Sequence, residues 1–107
     1  MANLPGVVTL VPSARPEREI VAAFTSDLLS DVMANASENS VLITLQAHKN
    51  TIACASLAGV AVVLLAGHLS AGNEVVQAAT QEGIALLGSP ENQFQLSVRV
   101  GGLLKSS

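Results

Sequence analysis

Three short apolar runs, VLITL (41–45), VAVVLLAG (60–67) and IALLG (84–88), constrain this chain more than any other feature. Each is long enough for one strand and too short for a helix that could bury it. None shows the polar alternation of a strand with one wet face. Runs of Val, Ile and Leu without that alternation are strands covered on both sides, as in a parallel sheet with helices over it. Phe24 and Phe94 are the only aromatic residues among 107, so the core has to be built from aliphatic side chains.

The segments between these runs have the helical texture that parallel connections need. In TSDLLSDVMANA (25–36), Leu28, Leu29, Val32 and Met33 fill an arc of about 140° at 100° per residue, which predicts a stripe packed on the sheet. Thr25 or Ser26 is placed to cap that helix. Asp27, Ser30 and Asp31 then face outward. KNTIACASLAG (49–59) predicts a small-residue helix with Asn50 as cap and Gly59 as stop, and GNEVVQAATQEG (72–83) a helix from Asn73 to Gly83. GVVTLV (6–11) and REIVAAF (18–24) predict two further strands.

SPE (89–91) places a cap residue, a proline and a carboxylate in the order of a helix start. Phe94, Leu96, Val98 and Val100 alternate as in a strand, and the SPE start decides for a helix that frays at Gly101-Gly102. The sum is a three-layer α/β/α single domain over 1–107, with a largely parallel sheet of about five strands. Its ends, 1–6 and 105–107, are expected to be flexible.

Several function classes are excluded on composition. Net charge is −3, and the five fixed cations, Arg15, Arg18, Lys49, Arg99 and Lys105, are scattered along the chain, which argues against nucleic acid. The single cysteine, Cys54, can form neither an internal disulfide nor a thiolate cluster, and reads as a small buried hydrophobe. The uncharged stretch from Thr51 to Gly67 is shorter than a membrane span and divides into helix and strand, so no membrane segment is expected and the setting is cytoplasmic. No basic, apolar leader opens the chain.

From EREIVAAFTSDLLSDVMANASENSVLITLQAH onward the sequence resembles the DRTGG domain family. That family is similar to the N-terminal domain of HPr kinase/phosphorylase and occurs in CBS-domain pyrophosphatases and phosphotransacetylases. Glu17 and Arg18 match the start of the family motif, Phe24 its aromatic residue, and Asp27-Leu28-Leu29-Ser30-Asp31-Val32 its helix without change. The resemblance runs through VLITLQAH, VVLLAGH and EGIALLG, from about residue 7. Two departures stand out: Val21-Ala22-Ala23 replaces Thr-Gly-Gly, and Gly67-His68 replaces Gly-Gly. The added side chains narrow any close approach of ligand or backbone at these places. The resemblance implies a regulatory module, commonly a homodimer, and not the catalytic part of a kinase.

If the sheet opens at its carboxyl edge, where open parallel sheets bind ligands, Thr25, Ser26, Asp27, Gln46, His48, Gly67, His68 and Ser89 are the candidate ligand-binding residues. Asp27, Ser30 and Asp31 are the candidate interface residues. There is no phosphate loop of the GxxxxGK type, no GxGxxG and no serine in a nucleophile elbow. The leading expectation is a non-enzymatic, dimeric regulatory module without cofactor or metal. It would sense a small ligand such as a nucleotide, or dock on a partner protein. A pure interaction scaffold is the second reading. A metal-assisted hydrolase using Asp27, His48 and His68 is the third.

Overall fold

The apolar runs become the inner strands of a five-stranded sheet. The structure, a computed structural model, describes residues 4–106. In chain order the elements are β1 (Val8–Val11), β2 (Ala22–Thr25), α1 (Leu29–Asn35), β3 (Ser40–Thr44), α2 (Lys49–Ala58), β4 (Val62–Ala66), α3 (Asn73–Glu82), β5 (Ala85–Ser89) and α4 (Gln93–Ser106). The sheet order is β1-β5-β4-β3-β2, with only the β1–β5 pair antiparallel. Every residue of β3, β4 and β5 is buried, as their mostly apolar composition requires, including Ser40, Thr44 and Ser89 at the strand ends.

From β2 to β5 each crossover moves one strand along the sheet in the same direction. Crossovers of one hand stepping one way put their helices on one face. Val32 of α1, Ile52 and Ala55 of α2, and Val75 and Ala79 of α3 accordingly share a core with Leu42, Val63, Leu65 and Leu86. The opposite face carries only α4, which lies over β2 and β3 and packs Leu96 and Val100 near Val41, Ile43 and Leu64. Among the described residues, no helix is long and apolar enough to cross a membrane.

Local detail departs from the sequence reading in several places. The second strand begins at Ala22, not at residue 18, because Arg18 turns away to bind elsewhere. Helix α1 starts at Leu29 with Leu28 at its cap position and no side-chain cap. Ser26 Oγ accepts only from the Leu28 amide, and Thr25 belongs to β2. With the start displaced, Val32 alone of the expected stripe is fully buried, while Leu28 is 64% exposed and Met33 is also exposed. In α2 the cap is His48, not Asn50: the ring Nδ1 accepts from the Asn50 amide at 3.1 Å. Ser89 ends β5, and its hydroxyl accepts from the Glu91 amide.

Helix α4 is capped instead by a reciprocal pair. Asn92 Oδ1 accepts from the Gln95 amide at 2.9 Å, and Gln95 Oε1 accepts from the Asn92 amide at 3.1 Å. The helix continues through Gly101-Gly102 to Ser106, where fraying was expected. The expected loose ends fall partly on residues 1–3 and 107, outside the described residues; Leu4 is buried against the α4 face.

Arg18 ties the amino ends of the strands. Its Nη2 donates to the Gly59 carbonyl at 2.7 Å and its Nε donates to Asn39 Oδ1. Asn39 has φ +59°, a left-handed conformation that asparagine tolerates better than most residues. Its backbone joins both neighbours, donating to Gly59 O and accepting from Val21 N. Gly59 closes α2 at φ +80°, and a Cβ there would meet Glu38 Cγ at 2.7 Å. One guanidinium thus holds the turns before β3 and β4 together. Arg18→Ala should cost about 2 kcal/mol, lowering the melting temperature by roughly 8–15 °C. Arg15→Ala, on the same loop but exposed, should leave it nearly unchanged; calorimetry on both variants checks the difference.

Candidate functional site

The carboxyl edge of the sheet brings together most of the polar residues singled out in the sequence, and it is closed by them. Asp27 is the centre. It lies in the turn between β2 and α1 and points inward, not outward from a helix face. Its Oδ1 accepts from the Leu45 amide at 2.7 Å, from Thr44 Oγ1 at 2.9 Å and from Gln93 Nε2 at 3.0 Å, while Oδ2 accepts from Gln93 Nε2 at 3.1 Å. One carboxylate therefore joins the turn after β2, the end of β3 and the first residue of α4. Burial by itself would raise the Asp27 carboxyl; the Leu45 amide, the Thr44 hydroxyl and the Gln93 carboxamide outweigh it and hold the group below its ordinary 3.8.

Asp31 does not share this site. It sits inside α1, and its Oδ1 accepts from Asn35 Nδ2 at 2.7 Å, one turn on. The pair expected on one helix face is therefore divided between a turn and a helix. Ser30 is exposed on α1. Thr25 Oγ1 hydrogen-bonds Ser97 Oγ at 2.7 Å, and Ser97 in turn donates to the Gln93 carbonyl, so a second tie joins β2 to α4. Thr44 Oγ1 also accepts from the Gln46 amide, which fixes the chain as it leaves β3.

His68 shuts the middle of the edge. Its Nε2 lies 3.0 Å from the Leu45 carbonyl, an acceptor, so the ring donates from that nitrogen. Its backbone pairs with Ser89 across the end of β5, and the Gly67 amide donates to the Glu91 carbonyl at 2.9 Å. Gly88 permits this approach, since a Cβ there would collide with the His68 carbonyl oxygen. His48 is engaged separately as the cap of α2. Among the described residues no group of three or more His, Cys, Asp and Glu side chains is arranged to hold a metal ion, so Asp27, His48 and His68 do not converge.

Sequence reasoning missed Gln93, Thr44 and Ser97, which complete the network. Thr44 looked like one residue of an apolar strand, and Gln93 and Ser97 lie some seventy positions from Asp27 and Thr25. Also unforeseen is the apolar rim: Leu28, Leu45 and Leu69, sequence neighbours or members of the bonded set, are exposed, and Phe94, next to Gln93, is 77% exposed.

A cavity of about 320 Å³ opens at the other end of the molecule, on the α4 face near the amino ends of β4 and β5. Ala61, Val62, Ala85 and Leu87 line it from the sheet, and Arg15 and Arg18 from the loop after β1.

No family model matches this sequence, and no curated protein matches it either. Among solved structures, the fold is similar to a crystal structure of the CBS and DRTGG domains of the regulatory region of Clostridium perfringens pyrophosphatase, complexed with the activator diadenosine tetraphosphate. The TM-score is 0.69 at 15% identity, and the match covers 85% of this chain and 40% of that one. The chain thus corresponds to less than half of the structure it matches.

Because the folded value of Asp27 lies below its unfolded one, ionised Asp27 stabilises the fold above about pH 4, and this contribution is lost as pH falls through the lowered value. Asp27→Asn should cost about 1 kcal/mol at pH 7, modest because the site is half-exposed and water competes. The gap to the parent protein should close on acidification. Melting curves of both proteins across the acid range check this; a gap undiminished at the most acid pH where both remain folded contradicts it.

Proposed function

We propose that this chain is a non-catalytic regulatory module that works as a homodimer in the cytoplasm and responds to a small ligand such as a nucleotide. The observation that carries the reading is the double face of α4. Leu96 and Val100 are fully buried, whereas Phe94 and Val98, also four residues apart, are both exposed. Two residues advance a helix by 200°, so the alternation of Phe94, Leu96, Val98 and Val100 is two apolar stripes on opposite sides of one helix. The inner stripe has the sheet. The outer stripe, Phe94 and Val98, wants a second apolar surface.

The state of the carboxyl edge supports the non-catalytic half of the reading. Asp27 is held ionised by three donors, and both imidazoles are tied to backbone groups. A general base or nucleophile has to present a lone pair to substrate; Asp27 accepts three donors of the protein and His48 Nδ1 accepts the Asn50 amide, while His68 is held by donating to the Leu45 carbonyl. The similar fold lies within a pyrophosphatase regulatory region complexed with an activator, diadenosine tetraphosphate, which agrees with a ligand-responsive module.

Sedimentation equilibrium at micromolar concentration should give a mass of about 22 kDa, twice 10.9 kDa. Phe94→Asp should weaken association by about 2–3 kcal/mol, roughly a hundredfold, without lowering the monomer's stability, because the side chain has no role in the core. The isolated protein should turn over neither nucleotides nor phosphoesters. A parent protein that is monomeric under these conditions, or hydrolysis abolished by His68→Ala, overturns the reading.

A further inference from the structure

The loop after β1 builds a small-molecule site that the carboxyl edge does not. We propose that the cavity at the amino ends of β4 and β5 binds a small organic anion: an apolar or aromatic body carrying one carboxylate or phosphate. The proposal rests on the ligand-responsive half of the function proposed above and gives it a location.

The cavity follows from the winding of the sheet. With three helices on one face, α4 alone covers the other, and it lies over β2 and β3. The same face of β4 and β5 is left to the loop of residues 12–20. That loop roofs the gap incompletely, and about 320 Å³ remains. The floor is Ala61, Val62, Ala85 and Leu87, with Ile20 beside them. The two alanines, each near the start of its strand, give the floor its depth where larger side chains would have filled it. Such a surface selects an apolar body.

The rim selects charge. Arg15 and Arg18 both line the cavity, two of the five fixed cations of a chain whose net charge is −3. Arg18 commits Nε and Nη2 to Asn39 and Gly59, which holds its guanidinium rigidly and leaves Nη1. Among the described residues Arg15 pairs with no carboxylate, and the bonds it makes are from its backbone: the amide donates to Ser13 Oγ at 3.0 Å and the carbonyl accepts from the Arg18 amide at 3.0 Å. Planar guanidinium donors fit the oxygens of a carboxylate or phosphate. Thr9 and Ser13 add hydroxyls on the same wall. Pro12 and Pro16 also line the cavity, and their fixed φ limits the freedom the loop loses when it closes on a ligand. The volume is at the small end of ligand cavities, suited to a body of mononucleotide size or less and not to a whole dinucleoside polyphosphate.

Titrations of the uniformly labelled full chain, followed by backbone amide NMR, test the site with five probes. Benzoate and phenyl phosphate pair a ring with each anionic head, and adenosine monophosphate enlarges the body. Inorganic phosphate is a head alone and benzyl alcohol a body alone. At least one of the first three should bind saturably at millimolar concentration or below, shifting the amides of Thr9, Ser13, Ala61 and Ala85; which one saturates first distinguishes carboxylate from phosphate. The head and the body alone should bind about tenfold more weakly or worse. Arg15→Gln, whose side chain is outside the core, should weaken binding about tenfold, and Ala85→Leu should abolish it by filling the floor. If Ala85→Leu does not fold, the Arg15 variant decides alone.

The cavity assignment is overturned if none of the three complete probes saturates, if Arg15→Gln binds as the parent does, or if the shifts map to Leu45, Gln46 and His68. In that last case the protein is still a ligand-responsive module, bound at its other edge. A monomeric parent protein, by contrast, overturns the dimeric reading whatever the cavity does.

Discussion

Three crossovers that step the same way along one sheet decide most of what this molecule can do. Because β2, β3, β4 and β5 are laid down in order, their connecting helices fall on a single face. A doubly wound sheet reverses direction once, and the two connections part at that point to leave a crevice at the carboxyl ends. No such reversal exists here. The turns after β2, β3 and β4 stay side by side, and their polar groups bond to one another. The crowding at one edge and the gap on the thinly covered face have the same origin.

Each end of the sheet is then held by one charged side chain. At the carboxyl end Asp27 gathers donors from Thr44, Leu45 and Gln93; at the amino end Arg18 gathers acceptors from Asn39 and Gly59. In both cases a formal charge faces neutral dipoles from segments distant in sequence. Such bonds are stronger than neutral ones and leave no buried ion without a counterpart. They also use up the reactive character of the group. An aspartate with its lone pairs engaged is a poor base, and this is why a residue that resembles part of an acid pair reads here as a fastener. Arg18 differs in one respect: it fastens with two donors and keeps one free at the cavity rim.

Helix α4 is fastened on the carboxyl side of the sheet. Gln93 and Ser97 tie its first turns to Asp27 and Thr25, and Arg99 donates to the Pro5 carbonyl and pairs with Glu91. The helix is thereby held firmly while its outer stripe stays bare. In the proposed homodimer such rigidity is an advantage, since less freedom is lost on association.

How much of this was legible in the sequence depends on the range over which each feature is encoded. The inner strands, the helices between them and the left-handed stops at Gly59 and Gly83 are set by local composition, periodicity and backbone sterics, so the order of elements and the α/β class were readable from the chain alone. The Asn92–Gln95 capping pair was equally local and was masked by the more familiar SPE beside it. The strand-like alternation in α4 was ambiguous in one dimension, because a period of two gives either one face of a strand or two faces of a helix. The sequence could place Asp27, His68 and Ser89 near strand ends, but not show that they bond within the protein. That required the sheet order, and so did the cavity between Arg15 and Ala85, whose walls come from segments some seventy residues apart. Local sterics determine the elements; only their packing decides which polar groups are satisfied and where space is left over.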